Sequence, residues 1–522
     1  MAILRASNAP LGLNRGKPTR ASGSALALWQ RPADWISLTT PGEAEQKAIG
    51  VVAVFNQASN YVALAATTSA GTYTVDWGDG TTTTHTSAAT AEKNYVWGDI
   101  SSGTLSSRGY RQAVITVTPT TGGATFSAVN LNRRHSGITS AATITSNPWL
   151  DIVVAAPNAT TIAFVYETAG TRAASMTLCE QVNIVAHNLT NMAHIFNEFR
   201  KLKSVLISNT AAVTNMANMF QSCTSLQTIP LLNTAALTTA TNMFNGCTSL
   251  QTIPLLNTAA LTNATSMFQT CSSLQTIPLL NTAALTTATS MFNGCTSLQT
   301  IPLLNTAALT TATSMFQGCT SLQTIPLLNT AALTTAASMF QNCTSLQTIP
   351  ELNLAAVSSA ANNALGIGSA GANSACASLG QAKPTGNRWT QTFQNCRMGA
   401  AELNEMYTAL ATLNPAVTAV TGNGTTVTYT IADRRAFVAG RTVTMTGIDP
   451  VAYNLTNVTV GTVTATTGNA GTFTVTNAAT GTYVSGGVAA IQSDRIITVT
   501  GNPGTATHDT TIATNKGWQV TA

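Results

Sequence analysis

The sequence predicts a mainly β fold in which a solenoid of stacked coils is flanked by β-sandwich modules. The first observation is a 24-residue unit that recurs in register from Met219 to Pro350. The second is a series of short Val-, Ile- and Thr-rich stretches on both sides of the repeats, divided by Gly, Asn and Asp. One such unit cannot bury its apolar face alone, so successive units must stack to complete a core.

The repeat unit reads Met-Phe-x-x-Cys-x-Ser-Leu-Gln-Thr-Ile-Pro-Leu-Leu-Asn-Thr-Ala-Ala-Leu-Thr from Met219. We expect Leu226, Ile229 and Leu231 to point inward from a strand of roughly two to four residues, because Pro230 cannot donate to a ladder. Phenylalanines and cysteines keep the same interval and should form two core columns. The columns are Phe220, Phe244, Phe268, Phe292, Phe316, Phe340 and Cys223, Cys247, Cys271, Cys295, Cys319, Cys343.

The Met-Phe-x-x-Cys-x-Ser-Leu-x-x-Leu pattern resembles the BspA-like leucine-rich repeats of bacterial surface proteins. This resemblance covers the regular units closely and implies a leucine-rich-repeat solenoid. It weakens upstream, where Phe196 lies one period before Phe220, and restarts once at Phe393. We therefore expect irregular lead-in coils at 121–218, regular repeats at 219–350, and degenerate coils with a capping helix at 351–420.

Residues 44–120 are predicted to form an N-terminal sandwich. Its marks are Tyr73-Thr-Val-Asp-Trp-Gly-Asp-Gly80, whose glycines permit a tight turn, and the alternating Val114-Ile-Thr-Val117. Both resemble a polycystic-kidney-disease-type domain, which implies an immunoglobulin-like β-sandwich. Asp76 and Asp79 in the turn could bind a cation, but carboxylates that cap turns are far commoner. We predict no metal site and no cofactor.

Alternating Thr and Val return after the repeats, as in Thr426-Val-Thr-Tyr-Thr430. This pattern predicts a small β module at 421–491. The following Arg495-Ile-Ile-Thr-Val resembles the closing strand of repeat proteins. We therefore interpret the module as an insertion ahead of a closing strand and tail at 492–522.

Residues 1–43 are predicted to be an N-terminal docking arm. Its basic residues precede the first acid, Asp34, and match the net charge of +5 of the whole chain. We expect the arm to bind an acidic neighbour in an assembly, with a solvated tail as the alternative. No secretory signal and no membrane insertion are predicted, because the apolar runs are too short. The candidate docking residues are Arg5, Arg15, Lys17, Arg20 and Arg31.

The scarcity of charge argues against several functional classes. Only 8% of residues are charged, against about 25% in soluble proteins, and the stretch 204–350 contains no charged residue and no histidine. Nucleic-acid binding requires Lys and Arg over the phosphates, and glycosidases require paired carboxylates. The histidines are scattered, with no nucleophile motif or phosphate loop. We predict that the protein is not an enzyme and binds no nucleic acid.

Uncharged polar side chains recur along one edge of the expected coil and are the candidate contact surface. Their donors and acceptors suit many weak contacts to glycans or proteins. The alternative is that these rows only keep an uncharged body soluble. The rows are Gln227, Thr228, Gln251, Thr252, Gln275 and Thr276.

Cysteine usage points to a compartment. Thiols in one column should be buried and reduced, because neighbouring parallel strands fit disulfide geometry poorly. Reduced thiols in surface-type modules favour folding in a host cytoplasm followed by assembly into a virion. With the sandwich and the repeats, Arg31-Pro-Ala-Asp-Trp35 resembles bacteriophage fibre and adhesin proteins.

We therefore expect a virion structural protein, present in multiple copies as a tail-associated fibre or adhesin. Its partners would be other virion proteins, through the arm, and a host-surface glycan or protein. The alternatives are a capsid fibre or decoration protein and a bacterial surface adhesin.

Overall fold

The computed structural model describes most of the chain from Trp29 onward. The fold in this part is mainly β, with short helices. The described residues are 29–138, 147–164, 166–168, 171–173, 176–357, 365, 376, 378–385, 391–393, 395–410, 416–432, 437, 439, 442–466, 470–479, 482–491, 496–500, 502–514, 516 and 518–522.

The strands before the regular repeats form two large sheets and a hairpin. In chain order they are β1 (Lys47–Val54), β2 (Tyr61–Thr68), β3 (Thr72–Asp76), β4 (Thr82–Thr86), β5 (Thr90–Asn94), β6 (Arg111–Pro119), β7 (Phe126–Asn130), β8 (Trp149–Ala155), β9 (Thr161–Ala163), β10 (Tyr166–Thr168), β11 (Thr171–Ala173), β12 (Gln181–Val185) and β13 (Ser204–Ile207). Single 3-10 turns at Trp97–Asp99 and Ser102–Thr104 lie between β5 and β6.

A seven-stranded sheet joins the sandwich to the coils. Its order is β13-β12-β8-β1-β6-β3-β4, antiparallel from β8 to β4 and parallel from β8 to β13. The second sheet, β5-β2-β7-β9, shares its core. The predicted end of the sandwich at residue 120 is therefore wrong. β7 and β9 are needed to complete the second sheet, and β8 belongs to the sandwich and the first coil at once.

Strand β1 is buried on both of its faces. Val52 faces the main core, whereas Val51 and Ala53 face a second cluster that contains Trp35. The segment from Trp29 onward lies over this outer face and shields it, which explains why β1 reads as a continuous apolar run. The prediction of a docking arm at 1–43 is therefore wrong for residues 29–38, because these residues pack on the sandwich.

Single parallel bridges join the regular coils. From Ser208 to Gln347, pairs such as Thr239↔Asn263 and Thr287↔Thr311 recur once per coil, and the Phe244 amide donates to the Met267 carbonyl at 2.9 Å. The prediction of a short strand in each regular coil is therefore wrong for the coils up to Gln347. Proline removes a backbone donor in every coil, which disfavours a ladder there; in the last coil a strand does begin at Thr348, and its register shifts around Pro350.

The Leu-Leu pair of each coil also differs from the prediction. Leu226 and Ile229 are buried as expected, but Leu231 is 74% exposed and Leu232 only 3%. Buried positions therefore recur every third residue, which is the period of polyproline II backbone, whereas a strand alternates every second residue. The proline between Ile229 and Leu231 favours this extended form.

The chain after the repeats leaves the stack and returns to it. Its elements are β14 (Thr348–Asn353), β15 (Gln381–Thr385), β16 (Gln391–Thr392), α1 (Ala400–Ala409), β17 (Val417–Gly422), β18 (Thr426–Ile431), β19 (Thr442–Asp449), a 3-10 turn (Val451–Tyr453), β20 (Val458–Thr459), β21 (Val463–Ala465), β22 (Gly471–Thr476), β23 (Ser485–Ile491), β24 (Ile496–Thr498), α2 (Thr511–Thr514) and β25 (Gln519–Thr521).

The module between α1 and β24 has its own core. It consists of the sheets β17-β18-β22-β21 and β20-β19-β23, while β16, β24 and β25 form one parallel sheet in the stack. This is the arrangement of an insertion. Its predicted start at 421 is too late, because β17 begins at Val417 and contributes that residue to the core.

One apolar core runs from the sandwich through the coils to the C-terminal elements. It includes Val52, Phe220, Phe340 and Trp518, and α1 closes it with Met406 and neighbouring residues. Within the described ranges no helix combines the length and apolarity needed to cross a membrane.

Candidate functional site

Phenylalanines and cysteines of the coils form two buried columns. Ring centroids of successive phenylalanines lie 5.4–5.8 Å apart, with planes within 7° of parallel. Each thiol donates to a phenylalanine carbonyl 27 residues earlier, as Cys295 does to Phe268 at 3.1 Å. Burial raises the pKa of Cys247 and of Cys295 to about 12. The columns therefore support the coil surface and offer no reactive group.

Thiol labelling of the native protein should be negligible. All nine cysteines are free and buried, and a raised pKa leaves almost no thiolate at neutral pH. After unfolding in guanidinium without a reductant, nine thiols per chain should react. A count below nine would reveal disulfides and contradict the reduced column.

Replacing Cys295 by Ser should lower the free energy of unfolding only slightly. The sequence alone predicts an unpaired buried hydroxyl, at a cost of about 1 to 3 kcal/mol. In the structure, however, the Phe268 carbonyl that accepts from the thiol lies 3.1 Å away and is available to a hydroxyl. We expect a cost near the low end, about 1 kcal/mol, measured by thermal unfolding. A cost above about 3 kcal/mol would contradict this acceptor geometry.

A ladder of side-chain amides runs along the turn side of the coils. Asn197 donates to Gln221 at 2.8 Å, Asn293 to Gln317 at 2.8 Å, and Gln317 to Gln341 at 2.6 Å. Sequence reasoning missed this ladder, although Asn and Gln alternate at the 24-residue interval from Asn197 to Gln317 and a second Gln follows at 341. The amides satisfy one another across coils and fix the spacing of the stack.

The candidate contact residues lie at the surface of one side of the coils. Gln227, Thr252, Gln275 and Thr276 are exposed, and Thr228 and Gln251 are partly buried. Their backbones also connect the coils, because the Gln275 amide donates to the Gln251 carbonyl at 3.2 Å. Contact with a host through these side chains stays a prediction.

A row of exposed leucines follows the positions of the contact residues in five of the six regular coils, and the sixth coil has Glu351 there. We call it the leucine row; its members are 62–74% exposed. A groove of about 720 Å³ runs along part of it, beside Asn233, Asn257 and Asn281. Sequence reasoning missed the row because it assigned these leucines to the core; the signal was the proline before each one. The leucine row consists of Leu231, Leu255, Leu279, Leu303 and Leu327.

Arg31 has partners within its own chain. Its Nε donates to Asp151 Oδ2 at 2.6 Å, and its Nη atoms donate to the carbonyls of Trp35 at 3.1 Å and Ile36 at 2.5 Å. Burial raises the pKa of Asp151, and the hydrogen bond and charge of Arg31 offset part of that rise. The assignment of Arg31 to external docking is therefore corrected: it fastens the N-terminal segment to β8. Arg5, Arg15, Lys17 and Arg20 lie outside the described residues.

A second ion cluster ties the sandwich to the coils. Glu180 accepts from Arg108 Nη1, and its Oε2 lies 3.1 Å from Lys203 Nζ. The guanidinium of Arg108 also lies over the Trp35 ring, 5.6 Å from its centroid. A cleft of about 550 Å³ lies beside these charges, next to Tyr110. The paired charges hold three parts of the chain together.

Asp76 and Asp79 accept hydrogen bonds within the turn between β3 and β4. Asp76 Oδ1 accepts from the Gly78 amide at 2.9 Å, and Asp79 Oδ1 accepts from the Thr81 amide at 3.0 Å. Lys93 Nζ lies 2.5 Å from Asp79 Oδ2. Burial acts to raise the pKa of Asp79, but hydrogen bonds from Lys93 and Thr81 outweigh it and lower the pKa. The carboxylates thus cap the turn, and an ammonium group already lies on one of them.

Histidines of the sandwich pack against tyrosine rings. His135 stacks on Tyr61 and His85 on Tyr73, with centroids 4.3 and 5.4 Å apart. Burial lowers the pKa of both imidazoles. In the part of the chain that the structure describes, no group of three or more His, Cys, Asp or Glu is placed to hold a metal ion.

The comparisons with known proteins concern the repeats. Residues 172–279 and 273–367 match a family model described as "Mycoplasma protein of unknown function, DUF285". A similar solved structure is a leucine-rich repeat protein from Eubacterium ventriosum, at 19% identity and a TM-score of 0.28, over 40% of this chain. The match spans 55% of that protein. No curated protein matches the chain. The family match supports the resemblance of the repeats to BspA-like leucine-rich repeats.

Proposed function

We propose that the protein is a non-enzymatic structural component of a bacteriophage particle, a tail-associated fibre or adhesin that contributes to host-surface attachment. In this proposal the coils form a leucine-rich-repeat solenoid between immunoglobulin-like sandwiches. The observation that carries it is the continuous core with buried, free cysteines beneath an uncharged coil surface. Such a body suits repeated weak contacts, and its thiols favour folding in a reducing cytoplasm.

A bacterial surface adhesin is the second candidate. The family match to Mycoplasma proteins over the repeats favours it. A capsid fibre or decoration protein would use the same body on another part of a particle. The three candidates differ in where the protein is found, so location is the property to measure.

Density-gradient fractionation of a phage lysate, followed by immunoblotting, separates these candidates. We expect the protein to sediment with infectivity and with the major capsid protein as the control. Immunogold labelling should then mark the tail; gold on the head would favour the decoration protein. Recovery in the envelope of uninfected cells would contradict the virion proposal and favour the adhesin.

Contact with the host is tested by multivalent display. Beads carrying the full chain should bind host cells, while the free chain should bind far more weakly, because avidity multiplies weak contacts. Since the coil surface carries no charge, binding should change little with salt. Replacing Gln251, Thr252, Gln275 and Thr276 by Ala should reduce it. Unchanged adsorption of particles that lack the protein, with no bead binding, would contradict the adhesin proposal.

A further inference from the structure

We propose that the leucine row is the surface through which two copies of this chain associate. The row is a continuous apolar ridge on the outside of five successive coils, with its leucines 62–74% exposed. It is distinct from the columns that build the core, since the neighbouring Leu232 and Leu304 already fill the inward position. The proposal does not depend on where the protein resides.

The spacing of the row favours an identical partner. The leucines recur once per coil at the same 24-residue interval as the phenylalanines, whose centroids in successive coils lie 5.4–5.8 Å apart. An apolar ridge interdigitates along its whole length only with a ridge of matching period. A second copy provides that period by construction, and a two-fold interface places the same patch on both chains.

The uncharged residues beside the leucine row are also compatible with a second copy of the chain. The groove beside the leucines is lined by Asn233, Asn257 and Asn281, and no charged residue occurs from 204 to 350. Carboxamides carry both donors and acceptors and can pair with one another. A charged amphipathic helix in the same groove would lose solvation at its flanking charges without gaining a counter-charge.

The area of the row fits a stable dimer. Each exposed leucine contributes on the order of 100 Å² of apolar surface, so the row contributes about 500 Å². This is a large patch for a protein that works as a monomer. Specific interfaces bury about 800 Å² per partner, and the exposed asparagines beside the leucines, Asn233, Asn257 and Asn281, add polar area to the row. The row ends at Glu351, one interval beyond Leu327, where a charge limits the apolar ridge.

Sedimentation of the full chain tests the proposal. We expect a dimer at micromolar concentration, with little dependence on salt because the interface is uncharged. The double variant Leu279→Asp with Leu303→Asp should weaken association at least about 100-fold, because it places charges in the middle of the row. The matched control is Thr286→Asp with Thr310→Asp, which adds the same charges seven residues further along the same coils and should remain dimeric.

A cross-linking variant tests the same interface even where the charged variants fail to fold. Leu279→Cys lies at the centre of the row and should form a disulfide-linked dimer under mild oxidation, against a background of buried native thiols. Thr286→Cys should stay monomeric. A wild-type chain that is monomeric at tens of micromolar, or a charged row variant that still dimerises, would overturn the proposal and leave the row to a partner of other chemistry.

Discussion

Replacing Leu304 by Ala should destabilise the protein by about 3 kcal/mol, whereas the same replacement at Leu303 should cost less than about 0.5 kcal/mol. The two leucines are adjacent in sequence and identical in chemistry. Leu304 is 2% exposed and packs in the coil core, while Leu303 is 62% exposed. Truncation of the first leaves a cavity, and truncation of the second leaves only water where a side chain stood.

The comparison requires a protein concentration below that of self-association, because a dimer would add apparent stability to the wild type and to Leu304→Ala, which keep the leucine row intact, and less to Leu303→Ala. Thermal unfolding of the two variants under identical conditions then measures the difference. A larger cost at Leu303 would mean that the Leu-Leu pair alternates as the predicted strand does, and equal costs would mean that both leucines pack in the core; either result would contradict the three-residue period. The single variants Leu255→Ala and Leu256→Ala repeat the test two coils earlier. Leu255 is 62% exposed and Leu256 is 1% exposed.

Replacing Arg31 by Ala should cost about 3 kcal/mol, because it leaves the buried Asp151 carboxylate without its cation. The Asp151 side chain is 3% exposed and that of Arg31 is 26% exposed, so we place the effect at the low end of the range for buried pairs. The matched control is Arg200→Ala. Its partner Glu198 is exposed and lies 3.4 Å away, so the loss should be close to zero.

The pH dependence of this deficit follows from the raised pKa of Asp151. The folded state holds a proton on Asp151 up to a pH above the ordinary value of 3.8. Stability from this group therefore falls as the pH rises through that window. Without Arg31 the opposing hydrogen bond and charge are absent, so the folded pKa rises further. The gap in melting temperature between the variant and the wild type should shrink from about pH 7 to about pH 4.5. A gap that stays constant would show that Asp151 is not the stranded group.

The contact between Arg31 and Asp151 determines which N-terminal truncation can test docking by the arm. Deleting residues 1–31 would remove the whole predicted basic cluster but would also remove the Arg31 contact with Asp151 and the Trp29 contact with Trp35. Deleting residues 1–28 keeps both contacts. Loss of particle incorporation after the shorter deletion would therefore report on the arm, whereas the longer deletion would confound docking with stability.

Local patterns predicted much of the stack. The constant interval identified the Phe and Cys columns, and Phe220 and Cys223 are fully buried as expected. The Cys295 hydrogen bond was not predictable in the same way, because its acceptor at Phe268 belongs to the preceding coil and depends on how far successive coils rotate. The fusion of the sandwich with the coils through β8 was missed for a similar reason, since strand partners are chosen across the fold.

The sequence by itself determined the 24-residue stack, its phenylalanine and cysteine columns and its uncharged surface, because identical residues at a fixed interval bury their apolar faces only by stacking. Only the tertiary structure decided which leucine of each Leu-Leu pair faces water. It also showed that Arg31 stabilises the fold and that the seven-stranded sheet continues into the coils. The three-residue period after proline sets the leucine direction, and a buried carboxylate 120 residues away, which no local pattern reveals, sets the place of Arg31.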